Sequence, residues 1–163
     1  MKIERATLIE AAREAALHAY APYSRFRVGA AVVVETANGS QVVTGANIEN
    51  ASYGLTLCAE RAAIAAACML DGQQSPPRIT HVAVACIDVP EDAPEWKRSP
   101  CGACRQWLAE LAPDAIYYVD GIAKDLRLPD LLPYAFRLDG RDTPANMGAK
   151  TPEKKPKQKG KQK

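Results

Sequence analysis

The chain has 163 residues, 47% of them apolar, with 21 Lys and Arg against 19 Asp and Glu for a formal charge of +2. A chain of this length buries roughly two thirds of its unfolded surface, so one soluble domain needs neither a disulfide framework nor a metal simply to hold its core. The composition excludes low-complexity disorder for most of the chain, and the longest uninterrupted apolar stretch, Ala62 to Leu70, falls far short of the roughly 18 residues of a membrane span.

The charge is unevenly distributed. From Lys150 to Lys163 there are seven lysines and one acid, Glu153, a local charge of +6 that leaves −4 on the other 149 residues. The opening Met1-Lys2-Ile3-Glu4-Arg5 runs into a charged amphipathic pattern instead of the apolar region of a secretory signal. The expected compartment is therefore the cytoplasm. There, the five cysteines Cys58, Cys68, Cys86, Cys101 and Cys104 serve as ligands, nucleophiles or core fillers more often than as disulfides.

In chain order, residues 4–20 place Leu8, Ala11, Ala12, Ala15, Ala16 and Ala19 near helical spacing, which predicts an amphipathic helix ended by Pro22. The valine-rich runs Val28 to Thr36 and Gln41 to Ala46, separated by Asn38-Gly39, predict a β-hairpin. Alanine-rich Cys58 to Leu70 is a helix with a stop at Asp71-Gly72. Ile79 to Ile87 is an apolar run suited to a strand buried on both faces, Cys101 to Leu111 is helical up to Pro113, and Ala115 to Val119 is a further strand. This order predicts a three-layer α/β domain with a mixed sheet. Past Asp139 the composition turns to Gly, Pro and Lys, too polar to bury and expected to be disordered.

Two local motifs carry the chemistry: Cys58-Ala59-Glu60-Arg61 and Pro100-Cys101-Gly102-Ala103-Cys104. A C-x-x-C pair at a helix start brings both sulfurs to one end of the first turn, and the other helix start adds a third. Three thiolates on Zn²⁺ leave a fourth tetrahedral position open, the arrangement of a catalytic site. The positive ends of the helix dipoles favour thiolate over thiol. Glu60, two residues after Cys58, can reach the same cavity without binding the metal and is placed to carry protons beside a metal-activated water. A redox C-x-x-C pair would leave Cys58-x-Glu60 unexplained. A structural zinc site would need a fourth protein ligand, and His18 and His81 sit poorly for it, in the opening helix and in a strand. Cys68 and Cys86, in apolar settings, are expected in the core.

These motifs make the chain recognisable. C-x-E at one helix start and P-C-x-x-C at another resemble the zinc-dependent nucleobase deaminase signature, with cysteine in place of the first histidine. Together with Tyr23-Ser24-Arg25-Phe26-Arg27-Val28-Gly29-Ala30-Ala31, Asn47-Ile48-Glu49-Asn50-Ala51-Ser52-Tyr53 and Ser99-Pro100-Cys101-Gly102-Ala103-Cys104-Arg105-Gln106, the chain resembles the short, homotetrameric cytidine deaminases from about the first helix to Phe136. The resemblance implies a three-layer α-β-α cytidine-deaminase-like fold with a central mixed five-stranded sheet. The catalytic domain would span residues 1–139, followed by a disordered Lys-rich tail over 140–163.

Position by position, the resemblance implies that Cys58, Cys101 and Cys104 hold one Zn²⁺ per subunit and that Glu60 shuttles protons. Asn47 and Glu49 would bond the sugar 3′-hydroxyl, Phe26 would pack on the base, and the backbone around Ala59 would read the pyrimidine edge. Arg61 would bond the zinc thiolates and draw off their charge, with Gln106 assisting beside it. Tyr53 and Phe136 would reach into a neighbouring subunit's site. From the residues alone, Phe26, Tyr53 and Phe136 would be expected in the core. The implied reaction is attack of an activated water on C4 of cytosine, with Glu60 passing its proton to N3 and helping ammonia leave, to give uridine or deoxyuridine.

Two departures stand out. Asp88 to Arg98 is longer and more charged than expected of the family; it reads as a solvated loop with Trp96 capping the core, or else as a border of the site mouth. Tyr134 stands where glycine is usual, just before Phe136. The alternatives are a deaminase of an aminoacylnucleoside antibiotic such as blasticidin S or of a modified cytosine nucleoside, and, from another class, a zinc-stabilised module whose basic tail engages nucleic acid. The Asn47-Ile48-Glu49-Asn50 motif favours a plain nucleoside, and the acidic body offers no basic groove to nucleic acid.

Overall fold

In the computed structural model, which describes residues 4–70 and 77–137, helix α1 covers Arg5–Ala16 and buries Leu8, Ala12, Ala15 and Ala16. The Asp71-Gly72 stop, the boundary at 139 and the Lys-rich tail lie outside the described residues. Helix α1 ends before the expected Tyr20, because the Tyr20 backbone is taken up elsewhere: its N–H donates to the Asn47 carbonyl at 3.0 Å and its carbonyl accepts from Glu49 N at 2.8 Å. This bridge brings the Asn47-Glu49 segment against the chain leading into the first strand.

Strands β1 (Val28–Thr36) and β2 (Gly39–Ala46) form the expected hairpin, with Gly39 at φ +107, a conformation that glycine adopts without a Cβ penalty. Helix α2 (Ala59–Cys68), strand β3 (Arg78–Cys86), helix α3 (Gly102–Leu111) and strand β4 (Ile116–Val119) follow within two residues of their predicted bounds. The sheet order is β2-β1-β3-β4. β1 is antiparallel to both neighbours and β4 is parallel to β3, so the sheet is mixed.

Side-chain alternation on the strands divides the core. Ala30, Val32, Val34, Val82 and Val84 pack with Ala63, Ile64 and Leu108 on the α2–α3 face. Ala31, Val33, Ala83 and Ala85 pack with Leu8 and Ala12 on the α1 face. The three-layer arrangement is therefore as expected, with buried valine and alanine letting helix and sheet backbones approach closely. At Gly45 the approach is extreme, since a Cβ there would stand 2.5 Å from the Ala63 nitrogen and 2.8 Å from the Ala59 carbonyl.

The described residues form four strands, not the five expected. After β4 the chain reverses at Gly121, φ +84, and Leu126 exchanges two backbone bonds with Tyr117 at 2.9 and 3.0 Å. The pairing stops after that one bridge. Arg127 turns away to begin the short helix α4 (Leu128–Leu131), its N–H donating to the Asp130 carboxylate at 2.8 Å, with Pro129 in the first turn. A ladder that would need further N–H donors thus becomes a helix start.

Candidate active site

The two motifs meet because α2 and α3 begin side by side. Cys58 and Cys101 are the residues that cap these helices, both with extended backbones, and Cys104 lies one turn into α3. The Cys58 and Cys101 sulfurs are 3.8 Å apart, those of Cys101 and Cys104 3.6 Å, and all three lie within 4.8 Å of one another. With Zn–S bonds of about 2.3 Å, tetrahedral geometry needs sulfurs about 3.8 Å apart. The residues present therefore fit a zinc ion, and three thiols without a fourth protein ligand leave one position for water or substrate.

The electrostatics suit a metal thiolate cluster. A hydrogen bond from Cys104 pulls the Cys58 thiol down to about 5, against its burial and with help from the Arg61 guanidinium. Cys104, fully buried and acting as that donor, is pushed the other way. Arg61 donates through Nη2 to the Thr56 carbonyl at 2.8 Å and to Cys58 Sγ at 3.6 Å. Its Nε is buried with no hydrogen-bond partner among the described residues, so the guanidinium keeps donor capacity beyond those two bonds. This places Arg61 where a cation tempers the excess negative charge of three thiolates.

Beside the thiols lies a cavity of about 300 Å³, at the small end of the range for small-molecule sites. Cys58, Ala59, Glu60 and Cys101 form one wall. Glu60 is only 4% exposed, and burial, with the negative charge at Cys58, pushes its carboxyl above the ordinary carboxylate range. Burial that favours the protonated form suits a carboxyl that takes up a proton and passes it to a neighbour.

Ser24, Phe26, Asn47 and Glu49 also line the cavity. Asn47, buried, accepts from Val28 N at 2.8 Å through Oδ1 and donates through Nδ2 to the Phe26 carbonyl at 2.9 Å, which orients the amide and leaves its second N–H free of either bond. Glu49 accepts from the Tyr23 and Ser24 backbone N–H groups at 2.9 and 3.1 Å, and from the Ser24 hydroxyl. The Ser24 hydroxyl is the main reason its carboxyl lies below the ordinary range. Ser24, within the Tyr23-to-Ala31 motif, is a site residue that the motif alone does not reveal; the bonds of the Tyr20 backbone to Asn47 and Glu49 bring the two segments together.

Gln106, expected to assist beside Arg61, donates to the Phe136 carbonyl at 3.0 Å, tying α3 to the segment after α4. Tyr53 and Phe136 are neither in the core nor on this cavity, being 76% and 66% exposed; Tyr53 meets Tyr23 edge-on with ring centres 6.3 Å apart. Phe26 is half-buried on the cavity wall. Cys86 is buried as expected but also borders the cavity, its thiol pushed up to about 12 by burial. Cys68 is exposed, at the last turn of α2. Trp96 does not cap the core; it is 71% exposed, with the Lys97 ammonium 5.6 Å from its ring centre. The 88–98 connection does border the site, for Lys97 and Arg98 line the cavity with Ser99. Tyr134 has φ 58, the left-handed conformation that explains why glycine suits its position.

Comparison with known proteins gives this geometry its context. Residues 2–120 match the family model described as "Cytidine and deoxycytidylate deaminase zinc-binding region". A cytidine deaminase of Halalkalibacterium halodurans is 45% identical over 139 residues, covering 82% of this chain and 95% of that protein. One from Mycobacterium tuberculosis is 44% identical over 128 residues, covering 78% and 86%. Among solved structures, a cytidine deaminase from Burkholderia pseudomallei superposes with a TM-score of 0.69 at 41% identity, covering 82% of this chain and all of that one. The M. tuberculosis enzyme gives 0.67 at 40%, covering 84% of this chain and all of that one. With a cluster of thiols spaced for zinc beside a buried glutamate, and with similarity over most of its length to these enzymes, the chain belongs to the cytidine and deoxycytidylate deaminase family.

Proposed function

We propose that this chain hydrolyses cytidine and deoxycytidine to uridine and deoxyuridine, releasing ammonia. The observation that carries this reading is the buried Glu60 carboxyl lining one cavity with Cys58 and Cys101, two of the three thiols spaced for one zinc ion. When bound, zinc supplies a Lewis acid that lowers the pKa of a water molecule toward neutrality. Glu60 takes one proton from the attacking water and delivers it to N3 of cytosine as the water oxygen bonds to C4; it then moves the second proton of that water from the new C4 hydroxyl to the amino group, so that the C4–N bond breaks and ammonia leaves. The Arg61 guanidinium holds the Cys58 thiolate and keeps the cluster from becoming too electron-rich to activate water.

Elsewhere on the cavity lining, the free N–H of Asn47 and the ionised Glu49 are suited to grip a sugar hydroxyl as donor and acceptor, the 3′-hydroxyl in this reading. Phe26 packs on the base, and the main chain at Ala59 reads its edge.

The catalytic unit spans residues 1–139, with the Lys-rich residues 140–163 outside it, and works in the cytoplasm, where thiols persist as ligands. Exposure of Tyr53, Leu55, Tyr134 and Phe136 supports burial against further copies in a homotetramer, with Tyr53 and Phe136 completing a neighbour's site. No described helix is long and apolar enough to cross a membrane.

The test is a panel of cytidine, deoxycytidine, cytidylate, cytosine and blasticidin S with purified zinc-loaded protein, following ammonia release. Turnover of the two plain nucleosides is expected to dominate. Preference for blasticidin S would move the reading to an antibiotic deaminase, and no ammonia from any substrate would refute it.

A further inference from the structure

The Asp88 to Arg98 connection is anchored at both ends. At its start, Arg27 grips the Asp88 carboxylate through Nε and Nη2 at 3.0 and 2.6 Å, and its backbone N–H adds a third bond at 2.7 Å. At its end, Arg98 folds back under the loop, where Nη2 donates to the carbonyls of Pro90 and Glu91 at 2.5 and 3.3 Å. The residue is 6% exposed. Among the described residues it forms no ion pair.

A buried guanidinium that faces carbonyls without a carboxylate is a costly way to fill space, so its use here points to what it holds in place. Gly121 lies directly against it: a Cβ at that position would stand 2.9 Å from Cδ, Nε and Cζ of Arg98. The Arg98 main chain is equally tied. Its N–H donates to the Glu95 carbonyl at 3.0 Å, and its own carbonyl accepts from the Cys86 thiol at 3.8 Å. Two residues on, the Pro100 carbonyl accepts from Arg105 Nε at 2.7 Å, and Cys101 begins the metal-binding turn. Lys97, Arg98 and Ser99 line the cavity between these ties.

We propose that Arg98 is a positioning residue for the reaction at this site. By drawing the 90–91 main chain down toward the Gly121 turn, it converts the 88–98 loop into a fixed wall of the substrate cavity. This rests on the deaminase reading above. Arg98 meets neither the reacting atoms nor the metal ligands, so its loss loosens the grip on substrate more than it slows the chemical step.

The experiment compares Arg98→Ala and Arg98→Lys with the parent chain, all zinc-loaded, by steady-state kinetics on cytidine, zinc content and amide hydrogen exchange. For Arg98→Ala the expected result is a KM raised about tenfold, with kcat lowered no more than about threefold. Bound zinc is unchanged, and exchange is faster across 88–99 but not in α2. Arg98→Lys keeps the charge and donors that can reach a carbonyl, but loses the reach and the planar guanidinium that lies against Gly121, and its KM lies between the two. A KM for Arg98→Ala within twofold of the parent overturns the proposal whatever happens to thermal stability. So does a fall in kcat and zinc content together at constant KM. Should Arg98→Ala fail to fold, an Arg98→Lys variant with parental KM and parental 88–99 exchange overturns it. Exchange needs no substrate, so a parent chain inert toward cytidine would remove the deaminase reading, whereas parental 88–99 exchange in the variants would remove the Arg98 proposal alone.

Discussion

Replacing Gly45 with alanine tests how tightly the sheet positions the catalytic helix. The added Cβ would lie 2.5 Å from the Ala63 nitrogen, 2.8 Å from the Ala59 carbonyl oxygen and 3.0 Å from the Ala62 carbonyl carbon. All three are main-chain atoms of α2, so no side chain can rotate to make room. Restoring an ordinary contact of about 3.4 Å to the nearest atom requires a separation of roughly 0.9 Å, an overpacking that costs about 1–3 kcal/mol. For a chain of this size that is a fall in Tm of about 3–10 °C. The first turn of α2 carries Ala59 and Glu60 and follows directly on Cys58, so in the proposed reaction the shift also displaces the Glu60 carboxyl from the reacting atoms. A misplacement near 1 Å costs about a hundredfold in rate, and kcat for Gly45→Ala should fall about 10–100-fold. Differential scanning fluorimetry and steady-state kinetics on zinc-loaded protein give both numbers. A variant whose Tm drops while kcat stays within twofold of the parent would show that α2 can move without the site, and would refute the argument.

Two further outcomes follow from local geometry. At Tyr134, φ 58 with a fully exposed side chain, any residue with a Cβ carries about 1 kcal/mol of left-handed strain, so Tyr134→Gly should melt about 2–4 °C above Tyr134→Ala; the reverse order in thermal melts would contradict the strain. Glu49 titrates below its ordinary value because the Ser24 hydroxyl and two backbone N–H groups bond its ionised form. A depressed folded-state pKa contributes stability above the unfolded value, near 4.5, which is lost as pH falls through the folded value. Urea melts between neutral pH and about pH 3 should therefore show a steeper acid loss for the parent than for Glu49→Gln, and parallel curves would count against that bond set.

The metal centre was legible in the sequence because its information is local. Cys58-x-Glu60 and Cys101-x-x-Cys104 each lie on one helix start, and helical geometry alone sets the direction of those side chains. The hairpin, β3 and α3 were legible for a similar reason, since valine alternation, alanine runs and the prolines at 100 and 113 act over a few residues. What could not be read depends on chain segments far apart. Leu126 could have continued a fifth strand on its composition, but the Arg127-to-Asp130 helix start, a competing use of the same backbone, ended the pairing. Gln106 lies next to the thiol motif in sequence, yet its partner is Phe136, 30 residues on. Cys68 and Cys86 both sit in apolar runs, and only the packing of the sheet edge and helix end separates the exposed one from the buried one. The charged 88–98 segment read as solvated because a buried arginine facing carbonyls leaves no mark in composition.

The central claim is that zinc is held by Cys58, Cys101 and Cys104 while Glu60 moves the protons, and Glu60→Gln tests it most directly. The amide keeps the shape and leaves the thiols untouched but cannot exchange a proton near neutrality. Zinc content measured on the purified variant should equal that of the parent, while turnover of cytidine falls by about 10²–10⁴. Near-parental turnover with zinc bound would contradict the account, as would loss of zinc along with activity.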